Sequence, residues 1–478
     1  MSLNLYGNED TIAAISTAKG EGGIGIIRLS GPKAIEILER IFISASSEAS
    51  EEGSEKKLLK PRYFYYGHVA DPEDGRQIDE AMAVFFKAPH SYTAEDSAEI
   101  QVHGSIVSLR NTLELCLREG ARLAEKGEFT KRAFLNGRLD LSQAEAVAEL
   151  VSAKAQKSFD MALSQLNGSV SEKIDALLQK LLDIEVELSV NIDYPDEDIE
   201  ELSYARLIAE LSDIKAEISR LLKASDSARI LREGLSVSII GRPNVGKSSL
   251  LNELLGEDRA IVTEIAGTTR DTIEEYAELR GIPLRLIDTA GIRKTKDVVE
   301  NIGVERSLKA AENAELVILM RDAAMAEAAV NEEDASSFES LETEGKKTIL
   351  VYNKMDKVKD KGSFVENTAS DTLYGKPVFM SLKDGSGLEE LKDRIEAAVC
   401  GGELRMEERG LSSLRHIELL REALSHISHA VSAAGEREGF DLIEIDVREC
   451  FDTLGKITGR TAEAELIDEI FSRFCLGK

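Results

Sequence analysis

The chain has 478 residues, 42% of them hydrophobic, and 59 Lys plus Arg stand against 88 Asp plus Glu for a formal net charge of −29. That length predicts about three domains with ordinary apolar cores, and the charge excludes a global basic surface for non-specific nucleic-acid binding, so any RNA contact must be local or shared with a partner. The scattered Cys116, Cys400, Cys450 and Cys475 have no C-x-x-C spacing, which argues against a disulfide framework or zinc site. With no basic-then-apolar leader and no apolar run of membrane-spanning length, a soluble cytoplasmic protein without membrane contact is expected.

Residues 1–120 mix short β-like runs (24–29, 82–86, 98–102) with helical stretches (33–41, 106–119) and read as an α+β domain. Within it, 44–57 is rich in Ser and Glu and marks a solvated loop. From Asp140 the pattern turns helical, opened by a capping-box-like Asp140-x-x-Gln143, and continues through Val190 until the 193–198 stretch breaks it. A further helix over 203–224 leads into an α/β unit that ends near Ala398. After Gly401-Gly402 come three helical stretches, 405–434, 442–457 and 461–474. Under 80 residues without a sheet bury only a modest core alone. The expected packing is against the helices of 121–225, which makes the α/β unit an insertion. The predicted organisation is 1–120 (α+β), 121–226 (helical, first part), 227–400 (inserted α/β P-loop unit) and 401–478 (helical, second part).

The inserted unit carries three ordered motifs. Gly241-Arg242-Pro243-Asn244-Val245-Gly246-Lys247-Ser248 fits G-x-x-x-x-G-K-[ST], between a strand-like run at 235–240 and a helix-like run at 249–255. The glycines let backbone N–H groups face phosphate oxygens, Lys247 adds a point charge at the β/γ-phosphates, and the Ser248 hydroxyl can ligate Mg²⁺. Asp288-Thr289-Ala290-Gly291 and Asn353-Lys354-Met355-Asp356 close two further strand-like runs, 282–287 and 347–352. The Asp356 carboxylate can accept from guanine N1–H and N2–H₂, whereas adenine offers neither donor, so the site selects GTP over ATP. Gly267-Thr268-Thr269-Arg270-Asp271 lies between the first two motifs, where GTPases carry a switch loop, and Thr269 is the expected second Mg²⁺ ligand. Ile292 follows Gly291, where Ras-type enzymes place a water-orienting glutamine, and no arginine finger is readable.

Asp10-Thr11-Ile12-Ala13-Ala14, the 22–31 segment GGIGIIRLSG, Ser91-Tyr92-Thr93-Ala94-Glu95-Asp96, Gly127-Glu128-Phe129-Thr130, the 132–141 segment RAFLNGRLDL and the terminal Cys475-Leu476-Gly477-Lys478 resemble the MnmE (TrmE) family of tRNA-modification GTPases nearly end to end. The resemblance implies a multidomain fold with a folate-binding-like N-terminal domain and a Ras-like GTPase inserted in a helical domain. It implies a homodimer that assembles with the FAD protein MnmG into a heterotetramer and builds an aminomethyl or carboxymethylaminomethyl group at C5 of U34 in certain tRNAs. The GTP contacts it implies are Asn244, Val245, Gly246, Lys247, Ser248 and Ser249; Thr263, Glu264, Ile265, Ala266, Gly267, Thr268 and Thr269; Asp288, Thr289, Ala290 and Gly291; Asn353, Lys354 and Asp356; and Ser381, Leu382 and Lys383. It supplies a K⁺ ion, held by Asn244, Thr263, Ile265 and Thr268 when two G domains meet, in place of an arginine finger. It makes Glu300 the acid that orients water, against the alternative of a solvated switch carboxylate; Arg293 is a weaker candidate.

The matched folate positions are Arg28, Glu99, Arg138 and Lys478, for 5-formyltetrahydrofolate or a related reduced folate. A carboxylate such as Glu99 suits the pterin amide and amino edge, and the cations suit the glutamate-tail carboxylates. His103 could face the same pocket, but a lone histidine beside a strand is more often structural and is not counted among the site residues. Cys475 is either a nucleophile toward a pyrimidine or a packing residue. The chain departs from the family at Ala94 and Ser105, where glycine is usual, at Lys126, where proline is common, and at Leu382, where alanine is usual. A ribosome-assembly GTPase is the rival reading, but 401–478 holds 10 Lys plus Arg against 16 Asp plus Glu, a net of −6, unlike a basic RNA platform. A folate-dependent one-carbon transferase with a regulatory G domain is the other.

Overall fold

Residues 10–18, 20–45, 59–193, 203–256, 275–287, 311, 313–326, 347–368, 375–400, 411, 413–474 and 477 are described by the computed structural model. Met1–Val151, Gln165–Leu182 and Phe451–Lys478 form one compact unit, and Ser152–Ser164 with Asp183–Cys450 form the other. In chain order the elements begin with β1 (Ile12–Ile15), β2 (Gly22–Ser30), α1 (Ala34–Ile41), β3 (Phe42–Ser44), β4 (Tyr65–Ala70), β5 (Gln77–Phe86), β6 (Ser97–Gly104), α2 (Ile106–Arg118), β7 (Arg122–Leu123), α3 (Glu128–Leu135) and α4 (Leu141–Ser152). The helices α5 (Gln156–Leu166), α6 (Ser169–Asp193) and α7 (Tyr204–Glu233) follow. Next come β8 (Leu235–Gly241), α8 (Lys247–Gly256), β9 (Glu275–Leu279), β10 (Ile282–Leu286), β11 (Leu316–Asp322), α9 (Ala323–Ala326), β12 (Lys347–Asn353), α10 (Lys361–Thr368), β13 (Val378–Phe379) and α11 (Leu388–Cys400). The chain closes with α12 (Leu414–Glu436), α13 (Phe440–Thr458) and α14 (Ala464–Ser472).

The first unit holds a seven-stranded sheet in the order β3-β4-β5-β6-β2-β1-β7, antiparallel except for the β1–β7 pair. Strand side chains alternate between faces. Ile27 and Leu29 of β2 therefore join Ala98, Ile100 and Val102 of β6, with Ile37, Leu38 and Ile41 of α1 and Leu109 and Leu115 of α2, in one core. Arg28 and Glu99, register partners across β2 and β6, fall on the opposite face. Cys116 lies in that core, and burial pushes its thiol up to about 12.

The expected capping box is real: Gln143 N donates to Asp140 Oδ1 at 2.9 Å and Asp140 N donates to Gln143 Oε1 at 3.0 Å, which starts α4. Near the chain end, Phe471 and Phe474 pack with Ala133, Phe134, Leu139 and Leu141, and Lys131 of α3 pairs with Asp468 of α14 at 2.5 Å.

The second unit holds a six-stranded sheet in the order β13-β12-β11-β8-β10-β9, parallel except for the β9–β10 hairpin. β8, β11 and β12 are near-continuous apolar runs because both faces are covered. Val237 and Ile239 meet Leu250 and Leu254 of α8 and Leu391 and Ile395 of α11 on one side. Val317, Leu319, Leu350 and Tyr352 meet Phe364 of α10 on the other. Helix α12 packs along α7. Tyr204 at the start of α7 stacks on Phe440 with ring centroids 5.0 Å apart, and its hydroxyl donates to Glu438 O at 2.7 Å. The α/β segment thus lies, in sequence, between two helices that pair in space. The expected solvated loop, 44–57, lies outside the described residues from 46 on, and the expected break, 193–198, does so from 194 on, Asp193 being the last residue of α6.

Candidate functional site

The parallel sheet sets its strand ends side by side, which brings the phosphate loop after β8 to the loops after β12 and β13. Gly246, with φ +109°, sits where an added Cβ would lie 2.3 Å from Asn353 Nδ2. Only glycine lets the phosphate loop approach that closely. Asn353, 3% exposed, donates from Nδ2 to Val245 O at 2.7 Å and accepts from Leu382 N at 3.2 Å, so one side chain ties the phosphate loop to the Ser381–Lys383 loop. At Leu382 this contact uses the backbone N–H and not the side chain. Lys354 Nζ donates to Asn244 O at 2.5 Å and pairs with Asp322 Oδ2 at 2.7 Å. Asp356 Oδ1 accepts from Ser381 Oγ at 3.1 Å, and Lys383 Nζ stands 4.0 Å from Asp356 Oδ2.

Lys247 opens α8, and its Nζ donates to Gly241 O at 2.5 Å and Arg242 O at 2.9 Å; burial pulls its pKa below the ordinary lysine range. A half-buried ammonium beside a glycine cradle at a helix N-terminus suits a polyphosphate. Ser248 and Ser249 follow on the same first turn. Thr263, Glu264, Ile265, Ala266, Gly267, Thr268, Thr269, Asp288, Thr289, Ala290, Gly291, Arg293 and Glu300 lie outside the described residues. Among the described residues no group of three or more His, Cys, Asp or Glu could hold a metal ion.

The N-terminal candidates also converge. Arg28 Nη2 and Nε meet Glu99 Oε1 at 2.9 and 3.0 Å. The Arg28 guanidinium lies 5.2 Å from the Tyr92 ring centroid and 5.8 Å from that of Phe129, and the Arg138 guanidinium lies 4.9 Å from Tyr92. Arg138 Nη1 also donates to Tyr92 O at 3.0 Å. Arg28 and Arg138 are thus gathered about Tyr92, with Glu99 on Arg28; the sequence offered that tyrosine only as part of the 91–96 motif and not as a site residue. Its position is fixed by a 2.9 Å bond between its hydroxyl and Thr130 Oγ1. Two guanidiniums, a carboxylate and a ring suit a planar heterocycle with an acidic tail.

Beneath that loop, Arg132, with a side chain 2% exposed, donates to Asp10 at 2.8 Å, Glu128 at 3.0 Å and Glu95 at 3.2 Å. Ser30 Oγ donates to Glu95 Oε2 at 2.7 Å, and Asn136 Nδ2 donates to Thr93 O at 2.8 Å. These bonds flank Ala94, whose φ of 60° is a left-handed conformation that glycine adopts without penalty and that costs an alanine about 1–2 kcal/mol. Ser105, the other glycine departure, caps α2 by accepting from Ser108 N at 3.0 Å.

His103 pairs through Nδ1 with Asp79 Oδ1 at 2.7 Å; the Asp79 hydrogen bond holds its pKa above the ordinary histidine value. Cys475 and Lys478 lie outside the described residues. Gly477 between them is described: its φ is +86°, an added Cβ would meet Ile15 O at 2.3 Å, and its carbonyl accepts from Ser16 Oγ at 3.1 Å. Gly477 therefore sits against the end of β1, the strand paired with the one that carries Arg28.

Comparison with known proteins gives the family. A family model described as the MnmE helical domain matches residues 141–475, and one described as the GTP-binding protein TrmE N-terminus matches residues 11–138. The tRNA modification GTPase MnmE of Alkaliphilus metalliredigens is 46% identical over 473 residues, covering 98% of this chain and 99% of that protein. The proteins of the same name from Acetivibrio thermocellus and Bacillus subtilis are 46% and 44% identical over 472 residues, each covering 98% of this chain and 99% and 100% of theirs. A guanine loop bonded to a phosphate loop, inside a chain aligned end to end with these relatives, means that the protein belongs to the MnmE family of tRNA modification GTPases.

Proposed function

We propose that the protein hydrolyses GTP in the C5 modification of the tRNA wobble uridine U34, of aminomethyl or carboxymethylaminomethyl type, together with the FAD protein MnmG and a reduced folate such as 5-formyltetrahydrofolate. The observation that carries the nucleotide half is the Asn353 bridge from Val245 O to Leu382 N, which joins guanine recognition to the phosphate cradle. Water attacks the γ-phosphorus, the bond to the bridging oxygen breaks, and GDP and phosphate leave. Backbone N–H groups of the phosphate loop and Lys247 offset the charge on the transferred group. Ser248 and Thr269 would hold Mg²⁺, which neutralises phosphate charge. Asn244, Thr263, Ile265 and Thr268 would hold K⁺, and Glu300 would orient the water.

Arg28, Glu99, Arg138 and Lys478 would bind the folate, with Glu99 on the pterin edge and the cations on its acidic tail. Cys475 is assigned to the modification chemistry near the same end of the chain. The working species is a cytoplasmic homodimer that joins MnmG in a heterotetramer and receives tRNA. Its parts are 1–120 for folate and dimerisation, 121–226 with 401–478 as the helical domain, and 227–400 as the inserted GTPase. Mass spectrometry of tRNA nucleosides from cells lacking the gene tests this reading. The wobble C5 substituent should disappear; its persistence beside a ribosome-assembly defect would replace the proposal with the regulatory alternative.

A further inference from the structure

We propose that Asp322, at the end of β11, is a positioning residue for guanine nucleotides that acts through Lys354. Its side chain is 10% exposed, and its two oxygens divide their work: Oδ1 accepts from Ala324 N at 3.1 Å, while Oδ2 pairs with Lys354 Nζ at 2.7 Å. The same ammonium reaches across to Asn244 O at 2.5 Å. Three loops, after β8, β11 and β12, therefore meet at one lysine. Lys354 has φ 65° and Asn244 φ 63°, both left-handed, so the two segments it joins are held away from their relaxed backbone conformations. A flexible four-carbon side chain fixes such geometry only if its head is anchored. Asn244 O is a neutral acceptor, and Asp322 supplies the one carboxylate paired with Lys354 among the described residues. With the anchor in place, the guanine loop and the phosphate loop move as one body, and a nucleotide meets both in register. This rests on the GTPase reading and adds a determinant outside its motifs.

A purely structural role, capping the short turn of α9, is the competing account, and the two separate experimentally. Asp322→Asn keeps an oxygen for Ala324 N but removes the charge that holds Lys354. Asp322→Ser keeps a capping hydroxyl and is too short for Lys354. Equilibrium titration of the full chain with GDP and with a non-hydrolysable GTP analogue should show both variants weakened by about tenfold, the scale of one charge-assisted hydrogen bond. The loss should be equal for the two ligands because neither Lys354 contact depends on the γ-phosphate. In a Lys354→Met background, Asp322→Asn should produce no further loss. Melting curves of all variants establish that they are folded, and the near-isosteric Asp322→Asn carries the test if Asp322→Ser is not. Unchanged affinity in a folded Asp322→Asn, or a full additional loss in the double variant, would overturn the proposal. Absence of guanine-nucleotide binding by the unmutated chain would instead overturn the GTPase reading.

Discussion

Asp356 is the side chain to which the proposed function assigns substrate choice. One oxygen takes the Ser381 hydroxyl at 3.1 Å and the carboxylate is 18% exposed, so it is held in place with acceptor capacity left for the N1–H and N2–H₂ edge of guanine. Adenine leaves that capacity unmet in a site with little water. Asp356→Asn puts an amide donor where two donors arrive from the base, and its GTP affinity should fall by at least about 100-fold while XTP is accepted. Hydrolysis of GTP, ATP and XTP by both proteins checks this. Equal use of ATP by the unmutated chain would remove the assignment of guanine specificity to this residue.

At the scale of elements, α3 and the 91–96 loop are locked together by Arg132 rather than by apolar packing alone. Burial pushes the Glu128 carboxyl up, but hydrogen bonds from Arg122, Glu125 N and Arg132 outweigh it and leave the pKa below the ordinary glutamate value. Asp10 is likewise held down by Arg122 and Arg132 against its own burial. Carboxylates with lowered folded pKa values stabilise the fold above their unfolded values, about 4.3 and 3.9, and lose that contribution as the pH falls through the lowered folded values. Arg132→Met takes one of two cations from Glu128 and Asp10, which keep Arg122, and removes the guanidinium from Glu95, so it should cost about 1–3 kcal/mol at neutral pH. It should also flatten the dependence of stability on pH below about pH 4.3. Urea denaturation at pH 7 and across pH 3–5 measures both, and an Arg132→Met variant as stable as the unmutated protein would show that the network is dispensable.

For the whole molecule, the sequence has Ile292 where Ras-type enzymes place a water-orienting glutamine and offers no readable arginine finger, so compensation of transition-state charge has to come from elsewhere. Asn244, held at φ 63° with its carbonyl on Lys354, is an ordered member of the proposed K⁺ set. Turnover by the full chain should be at least about tenfold faster in KCl than in NaCl at equal ionic strength, because losing a preorganised source of charge stabilisation costs at least that much. Indistinguishable rates in the two salts would eliminate K⁺ from the mechanism.

The GTPase motifs were legible because a phosphate cradle and a guanine acceptor are local: each needs a few residue types at fixed spacing beside a strand end, and 235–240, 282–287 and 347–352 all prove to be strands within a residue or two. The capping box at Asp140 was legible for the same reason. The short strands β1, β3, β4 and β7 were not, because two to six residues carry too little periodicity and owe their form to neighbouring strands. Helix α7 outruns its expected end by nine residues because the next helix breaker is Gly234. Arg28 and Glu99 could be named from the sequence but not paired, since strand register sets them opposite each other 71 residues apart. The same limit hid Tyr92 and Asp322: a tyrosine in a loop and an aspartate after an apolar run look ordinary until folding brings Arg28 and Arg138 around one and Lys354 to the other. Sequence by itself determined which chemical groups the protein carries and the ligand class they suit. Tertiary structure alone decided which of them share an anchor, because that depends on register and strand order, which bring together residues that are distant along the chain.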